Sequence, residues 1–577
     1  LQNKPLKIKI MKTSKIIIAI VVLAIVICSY TYSQTIPIWA RTTSSDISAS
    51  IAHSDKDGNT YIVGHFKYIR DLDFSAGTYT LDAGTSSDGF ISKYDAAGNF
   101  LWAYSFGALY NYAVEFLDFA IDDSSNIILV GRAQGIVDLD PSPGTYTVNA
   151  GGFNNWAMIL AKFNKHGQIL WGGVIDGGTQ YTELYYGLVI DNSQNIYLNG
   201  VCYNCDLDIF SPVNAVSGGG LFLAKYDKNG NLLFKHNYVN SYGKSFLDIN
   251  SSNQEIILAS EFAASSDIDP SPTSSITIGS SSVTVVRYSS NGVYKNHFFI
   301  TQAGGVNSQV KAVQVNSKGS IFQAIDFKGT IDLDPSPSTH TVASFYYNTL
   351  DFSVIIFDST GMFKKAIVVG DVQGDVINSM VVNDSDFVYI TGNFRYTGIF
   401  NPPSVLTNTF YVAQSSIYVA KYNDTLGCKF AFPIASSGYN STGYVISSEK
   451  NGDMYLNCTI SNGIYDFDPS VQTLTLTAGS SSGNVIAKYS HSATLPTGFY
   501  ESNIYNSGFS VYPNPNNGNF TIQSEKSGEF ELMDITGRII NTFIIKNEQK
   551  TIQENLPAGM YFIREKQSGA LQKLIVN

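Results

Sequence analysis

The sequence predicts an all-β chain. Three observations carry this: a repeat of about 65 residues, four short strand-like stretches in each repeat, and turn chemistry between them. The 577 residues include 49 Gly, 36 Tyr and 35 Phe, a composition that favours strands and tight turns over helices. Hydrophobic residues make up 44% of the chain and charged residues 14%, too apolar for disorder. A net charge of −11 argues against a nucleic-acid binder, which would present a basic patch.

An Asp-x-Asp pair marks the repeat, with its second Asp at Asp73, Asp140, Asp208, Asp269, Asp334 and Asp468. The last interval is double. The skipped unit is present as Ile399-Phe400-Asn401-Pro402-Pro403 with its acids lost, which makes seven units. The second unit shows the parts. Phe119 to Asp122 reads as a first strand, Ile127 to Gly131 as a second, Trp156 to Phe163 as a third and Gln168 to Val174 as a fourth. The turns between them, Asp123-Ser124-Ser125-Asn126 and Asn164-Lys165-His166-Gly167, carry residues that tolerate positive φ or bond their own backbone. Turns at Asp95–Gly98, Asp227–Gly230 and Asp358–Gly361 share the phase of the latter. Four strands repeated seven times, with no helical periodicity, describe a seven-bladed β-propeller of four-stranded blades over residues 34–489.

Closure supplies a check. The fourth strand reads Leu101-Trp102-Ala103 in unit one and Leu170-Trp171-Gly172 in unit two, whereas unit seven ends at Tyr489 without one. The missing strand stands at the other end of the domain as Ile38-Trp39-Ala40-Arg41, so the N-terminal strand is expected to complete the last blade. A closed ring leaves no edge to aggregate. The stretches Val137 to Tyr146 and Ala224-Lys225-Tyr226-Asp227 resemble the β-propeller repeats of bacterial secreted and surface proteins, with their Asp-Phe-Asp-Pro-like loop and later Lys-Tyr-Asp turn. The resemblance covers about 450 residues and implies a fold, not an activity.

Residues 11–33 read as a signal peptide. Lys12 and Lys15 precede the apolar run Ile16 to Cys28, and small residues precede a cut before Gln34. Residues 1–10 read as a start-site artefact. No other stretch is apolar enough to cross a membrane, so the mature chain is expected to have no transmembrane segment. Export suits the cysteines: Cys202, Cys205, Cys428 and Cys458 remain. Cys202 and Cys205 lack the further ligands of a zinc site and follow a strand, which leaves a local disulfide or two free thiols.

Residues 490–508 read as a linker. Beyond it, residues 509–577 alternate short strands with Pro and Gly turns, a small Ig-like β-sandwich. Four stretches stand in order: Tyr512-Pro513-Asn514-Pro515, Asp534 to Arg538, Leu556 to Tyr561, and Lys573-Leu574-Ile575-Val576. They resemble the C-terminal sorting domain of the type IX secretion pathway. That resemblance implies engagement of the type IX machinery, passage across the outer membrane of a Gram-negative cell, and a cell-surface or secreted product.

The connection between second and third strands is long, from about Arg132 to Asn155 in unit two, and connections of that length are usually functional or disordered. Six of these carry two acids: Asp71 and Asp73, Asp138 and Asp140, Asp206 and Asp208, Asp267 and Asp269, Asp332 and Asp334, Asp466 and Asp468. Without the five lysines of the leader the net charge falls from −11 to −16, and twelve of the negatives belong to these pairs. One face of the disc is therefore expected to be negative and to repel acidic polymers. Two readings stand for the pairs: turns in which each Asp bonds backbone N–H groups two residues on, or shared ligation of calcium with loop oxygens. The Asp55–Asn59 stretch lacks an EF-hand's bidentate Glu and reads as a hairpin turn.

Catalytic constellations are scarce. His53, His65, His166, His236, His297, His340 and His491 share no spacing, and no nucleophile elbow, phosphate loop or dinucleotide fingerprint appears. The expectation is a non-catalytic binding, adhesion or structural surface protein that takes a glycan or protein ligand. The alternative is a secreted carbohydrate-active or other hydrolytic enzyme working with separated carboxylates on the loop-rich face.

Overall fold

The structure is a computed structural model that describes residues 37–490 and 509–576 apart from short stretches, the longest being 176–186, 211–217 and 401–408. The expected leader, nearly all of the expected linker and Asn401 to Pro403 lie outside the described residues.

Alternation of apolar and polar residues, broken by turn residues, yields seven four-stranded antiparallel sheets among the described residues of 37–490. Blade 1 comprises Ile47–Ser54, Thr60–Asp71, Thr80–Tyr94 and Phe100–Phe106. Blade 2 comprises Val114–Ile121, Ile127–Ala133, Ala157–Phe163 and Ile169–Ile175. Gly187–Ile190 opens blade 3, Ser245–Ile249 blade 4, Gln309–Val315 blade 5, Val376–Val382 blade 6 and Thr442–Ser448 blade 7. Each blade runs outward from its first strand in simple antiparallel order, except that the outermost strand of blade 7 is Pro37–Thr42.

That strand pairs with Gly483–Tyr489, placing Trp39 opposite Lys488 and Ala40 opposite Ala487. The expected completion of the last blade by the chain's beginning is therefore observed. Polar side chains then join blade 7 to blade 1: Ser447 Oγ donates to the Ala52 carbonyl at 2.6 Å, and Asn457 Nδ2 to that of Ala49 at 2.6 Å. First strands pack on one another in cyclic order, blade 7 against blade 1 included. Every seam between neighbouring blades holds its own apolar core. At the closing seam Trp39, Tyr455 and Ile486 of blade 7 meet Ile47, Ile62 and Phe90 of blade 1.

The first strand of blade 2 starts at Val114, five residues before its expected start, because a bulge at Leu117 interrupts the alternation. Bulges recur at Ser50, Lys311, Asn378 and Tyr444 in other first strands. Two of them turn side chains toward the next blade: Ser50 Oγ donates to the Phe116 carbonyl, and Asn378 Nδ2 to that of Gly443, both at 2.8 Å. The third-to-fourth turns take a positive φ, which Gly98, Gly167, Gly230, Gly292 and Gly361 supply in blades 1 to 5 and Leu426 in blade 6. Gly98, at φ +84°, lies so close under the Trp39 ring that a Cβ there would be 2.8 Å from it.

Residues 509–576 form two further sheets, one of three strands and one of four. Phe509, Phe520, Phe530, Leu532, Phe543 and Ile563 fill the core between them, a sandwich as expected. Its motif residues are structural: Arg538 Nε bonds Asp534 at 2.9 Å, and the Tyr561 hydroxyl donates to the Pro557 carbonyl at 2.8 Å.

Candidate functional site

In blades 1, 2, 5 and 7 the Asp-x-Asp connections form small hairpins beyond the second strand, and in blade 4 Asp267 bridges Thr277. In blade 2, Ile136–Asp138 pairs with Thr147–Asn149. The first carboxylate of each pair anchors the loop. Asp138 Oδ1 accepts the backbone N–H groups of Asp140 at 3.0 Å and Tyr146 at 2.8 Å. Asp71 does the same for Asp73 and Tyr79, Asp332 for Asp334 and His340, and Asp466 for Asp468 and Leu474. Asp267 takes Asp269 and Ile276, and Asp206 takes Asp208. The second carboxylate caps the following turn: Asp140 accepts from Ser142, Asp334 from Ser336 and Asp269 from Ser271. These bonds are the turn chemistry of the first reading. Among the described residues no group of three or more His, Cys, Asp or Glu side chains is placed to hold a metal ion.

The Lys-Tyr-Asp segment reaches back to these hairpins. The Tyr94 hydroxyl donates to the Leu72 carbonyl at 2.7 Å, Tyr288 to Ile268 at 2.9 Å and Tyr489 to Phe467 at 3.0 Å. In each case the acceptor is the residue between the two acids. Tyr422 bonds Phe400 at 2.9 Å, so the unit without acids keeps the clasp. The lysine is buried and paired: Lys162 Nζ lies 2.9 Å from Asp122 and donates to the Lys228 carbonyl of the next blade. Lys225 repeats this with Asp191 and Ser290. The Asp55 turn belongs to the same scheme, its Oδ1 accepting the N–H groups of Asp57 and Asn59 beside Lys93.

What repeats is therefore architecture, and the candidate chemistry lies where repetition stops. First strands begin and second strands end on the face that carries the hairpins: Ile47 opposes Phe66, Val114 opposes Ala133 and Gln309 opposes Asp326. One second-strand position there holds His65, Arg132, Val201, Glu261, Asp326, Asn393 and Thr459 in successive blades. Arg132 pairs with Glu115 at 2.6 Å and lies 4.5 Å over the Trp156 ring. Lys311 lies 2.9 Å from Asp326, whose carboxyl burial pushes up to about 6 against that lysine's pull. Burial also raises Glu261, which accepts the Val310 N–H at 3.1 Å, and lowers His65. Sequence reasoning missed this set. The available signal was a charged residue between apolar neighbours at one phase of the repeat, as in Gly64-His65-Phe66 and Ile325-Asp326-Phe327.

Exposed aromatic side chains rise from the connections on this face. Tyr110 is 87% exposed on a short 3-10 turn, where it and Asn111 adopt positive φ. The Asn111 side chain fixes that turn by donating to Thr85 Oγ1 at 2.6 Å and accepting the Ser86 N–H at 3.3 Å. Phe345 and Tyr346 stand out beyond the hairpin of blade 5, where the Tyr346 carbonyl accepts the Ser344 and Thr349 hydroxyls. His166 is an exposed turn residue, and His53 meets Phe119 edge to face, with burial drawing its pKa down to about 4. Cys202 and Cys205 form a disulfide, while Cys428 and Cys458 are free.

The family model of the secretion system C-terminal sorting domain matches residues 510–577. No curated protein matches the chain. Among solved structures, a polysaccharide lyase, ulvanlyase, bound to -[GlcA(1-4)Rha3S]- is 8% identical, covering 78% of this chain and 97% of its own, with a TM-score of 0.38. A duf4221 family member from Bacteroides vulgatus is 12% identical over 63% and 93%, TM-score 0.28. A β1,3-galactosidase is 11% identical over 68% and 76%, TM-score 0.25. Likenesses this remote say nothing of activity. The sorting domain marks the chain as a secreted or cell-surface protein of a Gram-negative bacterium, delivered through the type IX machinery. Among the described residues no helix is long and apolar enough to cross a membrane.

Proposed function

We propose that this exported protein binds a glycan with the hairpin-bearing face of its propeller, as a surface binding or adhesion protein without catalysis. The observation that carries this reading is the set of exposed aromatic side chains held on ordered turns, Tyr110 foremost. Keeping a tyrosine in solvent at positive φ has no folding benefit, and an aromatic face is a platform for the C–H side of a sugar ring. A polysaccharide panel tests it. The expected result is retention of the mature protein by at least one glycan, weakened by Tyr110→Ala together with Tyr346→Ala. Equal retention of that variant contradicts it.

A second reading has its own support. Glu261 and Asp326 are desolvated acids of neighbouring blades on the same face, and a raised carboxyl is what a general acid needs. Under that reading Asp326→Asn abolishes turnover of a bound glycan while leaving its retention intact.

A further inference from the structure

In a repeat protein the residues that recur build the fold, so a residue that departs from the repeat in chemistry is the place to look for a ligand. Arg41 is such a residue. It opposes Ile486 on the outermost strand of blade 7. At that register the other six blades carry Tyr104, Gly173, His236, Phe298, Ile367 and Phe432. Arg70 is another, standing directly before the Asp pair where other blades have Val137, Cys205, Ser266, Ile331 and Tyr465, all buried. The chain has only seven arginines, and these two line one cleft of about 610 Å3 between the N-terminal strand and the first hairpin.

We propose that this cleft at the closing seam binds a neutral saccharide unit; the proposal rests on the glycan-binding reading and adds to its aromatic platforms a separate polar subsite and a ligand class. The volume falls within the range of small-molecule sites. Arg41 makes no ion pair among the described residues, its Nη1 donating only to the adjacent Ala40 carbonyl. Arg70 pairs with Asp46, and both arginines keep a buried Nε–H without an acceptor. Asp71 and Asp73 line the same cleft and spend one oxygen each on backbone N–H groups. Their other oxygens accept nothing among the described residues. The cleft thus offers charged donors and charged acceptors side by side, with Ile69 and Leu476 as apolar wall.

A hydroxyl both donates and accepts, so a polyhydroxylated ring satisfies both sets at once. An acidic sugar would meet Asp71 and Asp73, and a cationic ligand would meet the two guanidiniums, each at a cost in desolvated like charge.

The test is calorimetry of the mature protein with oligosaccharides of mannan, xylan, β-glucan and polygalacturonate. Two variants are compared with the wild type: Arg41→Met with Arg70→Met, and Ala76→Trp. The latter fills the cleft mouth from an exposed turn residue and removes no contact of the core. The expected result is binding of a neutral oligosaccharide, weakened at least tenfold in both variants with melting temperature held in Ala76→Trp. Undiminished binding in Ala76→Trp overturns the seam site and leaves the glycan-binding reading standing. Binding of polygalacturonate alone overturns the neutral class, and no binding by the wild type removes both.

Discussion

The hydroxyl of Tyr226 donates a 2.7 Å hydrogen bond to the main-chain carbonyl of Leu207, tying the third strand of blade 3 to the hairpin between its second and third strands. Both groups are buried, so the bond cannot be exchanged for water. Blades 2 and 5 carry Phe163 and Phe357 at this position and have no such hydroxyl. Replacing Tyr226 by Phe leaves the Leu207 carbonyl without that donor and is expected to cost about 1–2 kcal/mol. Phe163→Tyr should gain no more than a fraction of that. Urea unfolding of the two variants checks the asymmetry.

Asp118 and Asp248 stitch first strands together, Asp248 accepting the Val315 N–H at 2.6 Å and Asp118 that of Leu188. Burial pushes both carboxyls from 3.8 up to about 7. A raised carboxyl binds its proton more tightly folded than unfolded, so its contribution is full below about pH 4 and is lost as pH rises through about 7. Asp118→Asn keeps an acceptor for Leu188 and removes the charge. It should stabilise the protein at pH 8 by on the order of 2 kcal/mol, after allowance for residual solvent, and change little at pH 4. Melting curves at the two pH values decide this.

Lys162 and Lys421 occupy the same position in blades 2 and 6 with opposite surroundings. Lys162 pairs with Asp122, whereas Lys421 faces the rings of Phe387 and Tyr389 at 4.1 and 5.1 Å, and burial draws its pKa down to about 8. Lys162→Met leaves a buried carboxylate unpaired and should cost about 3–5 kcal/mol. Lys421→Met removes a desolvated cation and should be neutral or stabilising at pH 7. Equal losses in denaturation midpoint would contradict the difference in pairing.

Asp138 anchors its hairpin through the N–H groups of Asp140 and Tyr146. Asp138→Ala should therefore lower stability by about 1–2 kcal/mol, equally in calcium and in a chelator. A loss seen only with calcium present, together with a heat of calcium binding abolished by the substitution, would assign the pair to a cation.

The repeat, the four-strand unit, the completing strand and the sorting domain were all legible in the sequence because each is written in local pattern: turn residues, alternation and ordered motifs. The Trp39 strand was recognisable because it resembles the fourth strands around Trp102 and Trp171. What stayed hidden depends on register. That Arg41 stands where Tyr104 and His236 stand follows only once Ile486, Ile91 and Leu223 are known to be their partners. The second-strand set from His65 to Thr459 recurs at the repeat interval, but its residue types differ from blade to blade, so only the pairing register shows it as one position. The early start of the blade 2 first strand was lost to the bulge at Leu117, which breaks the period on which strand recognition relies.

Closure of the ring by the N-terminal strand is the claim on which blade count, seam core and cleft all depend. Hydrogen exchange of the mature protein measures it directly at the amides of Trp39, Ala40, Arg41 and Thr42, which pair with Lys488 to Val485. Closure requires protection comparable to that of the fourth strands Phe100–Phe106 and Ile169–Ile175. Exchange of residues 39–42 at the rate of an unstructured peptide, with those two strands protected, would contradict it.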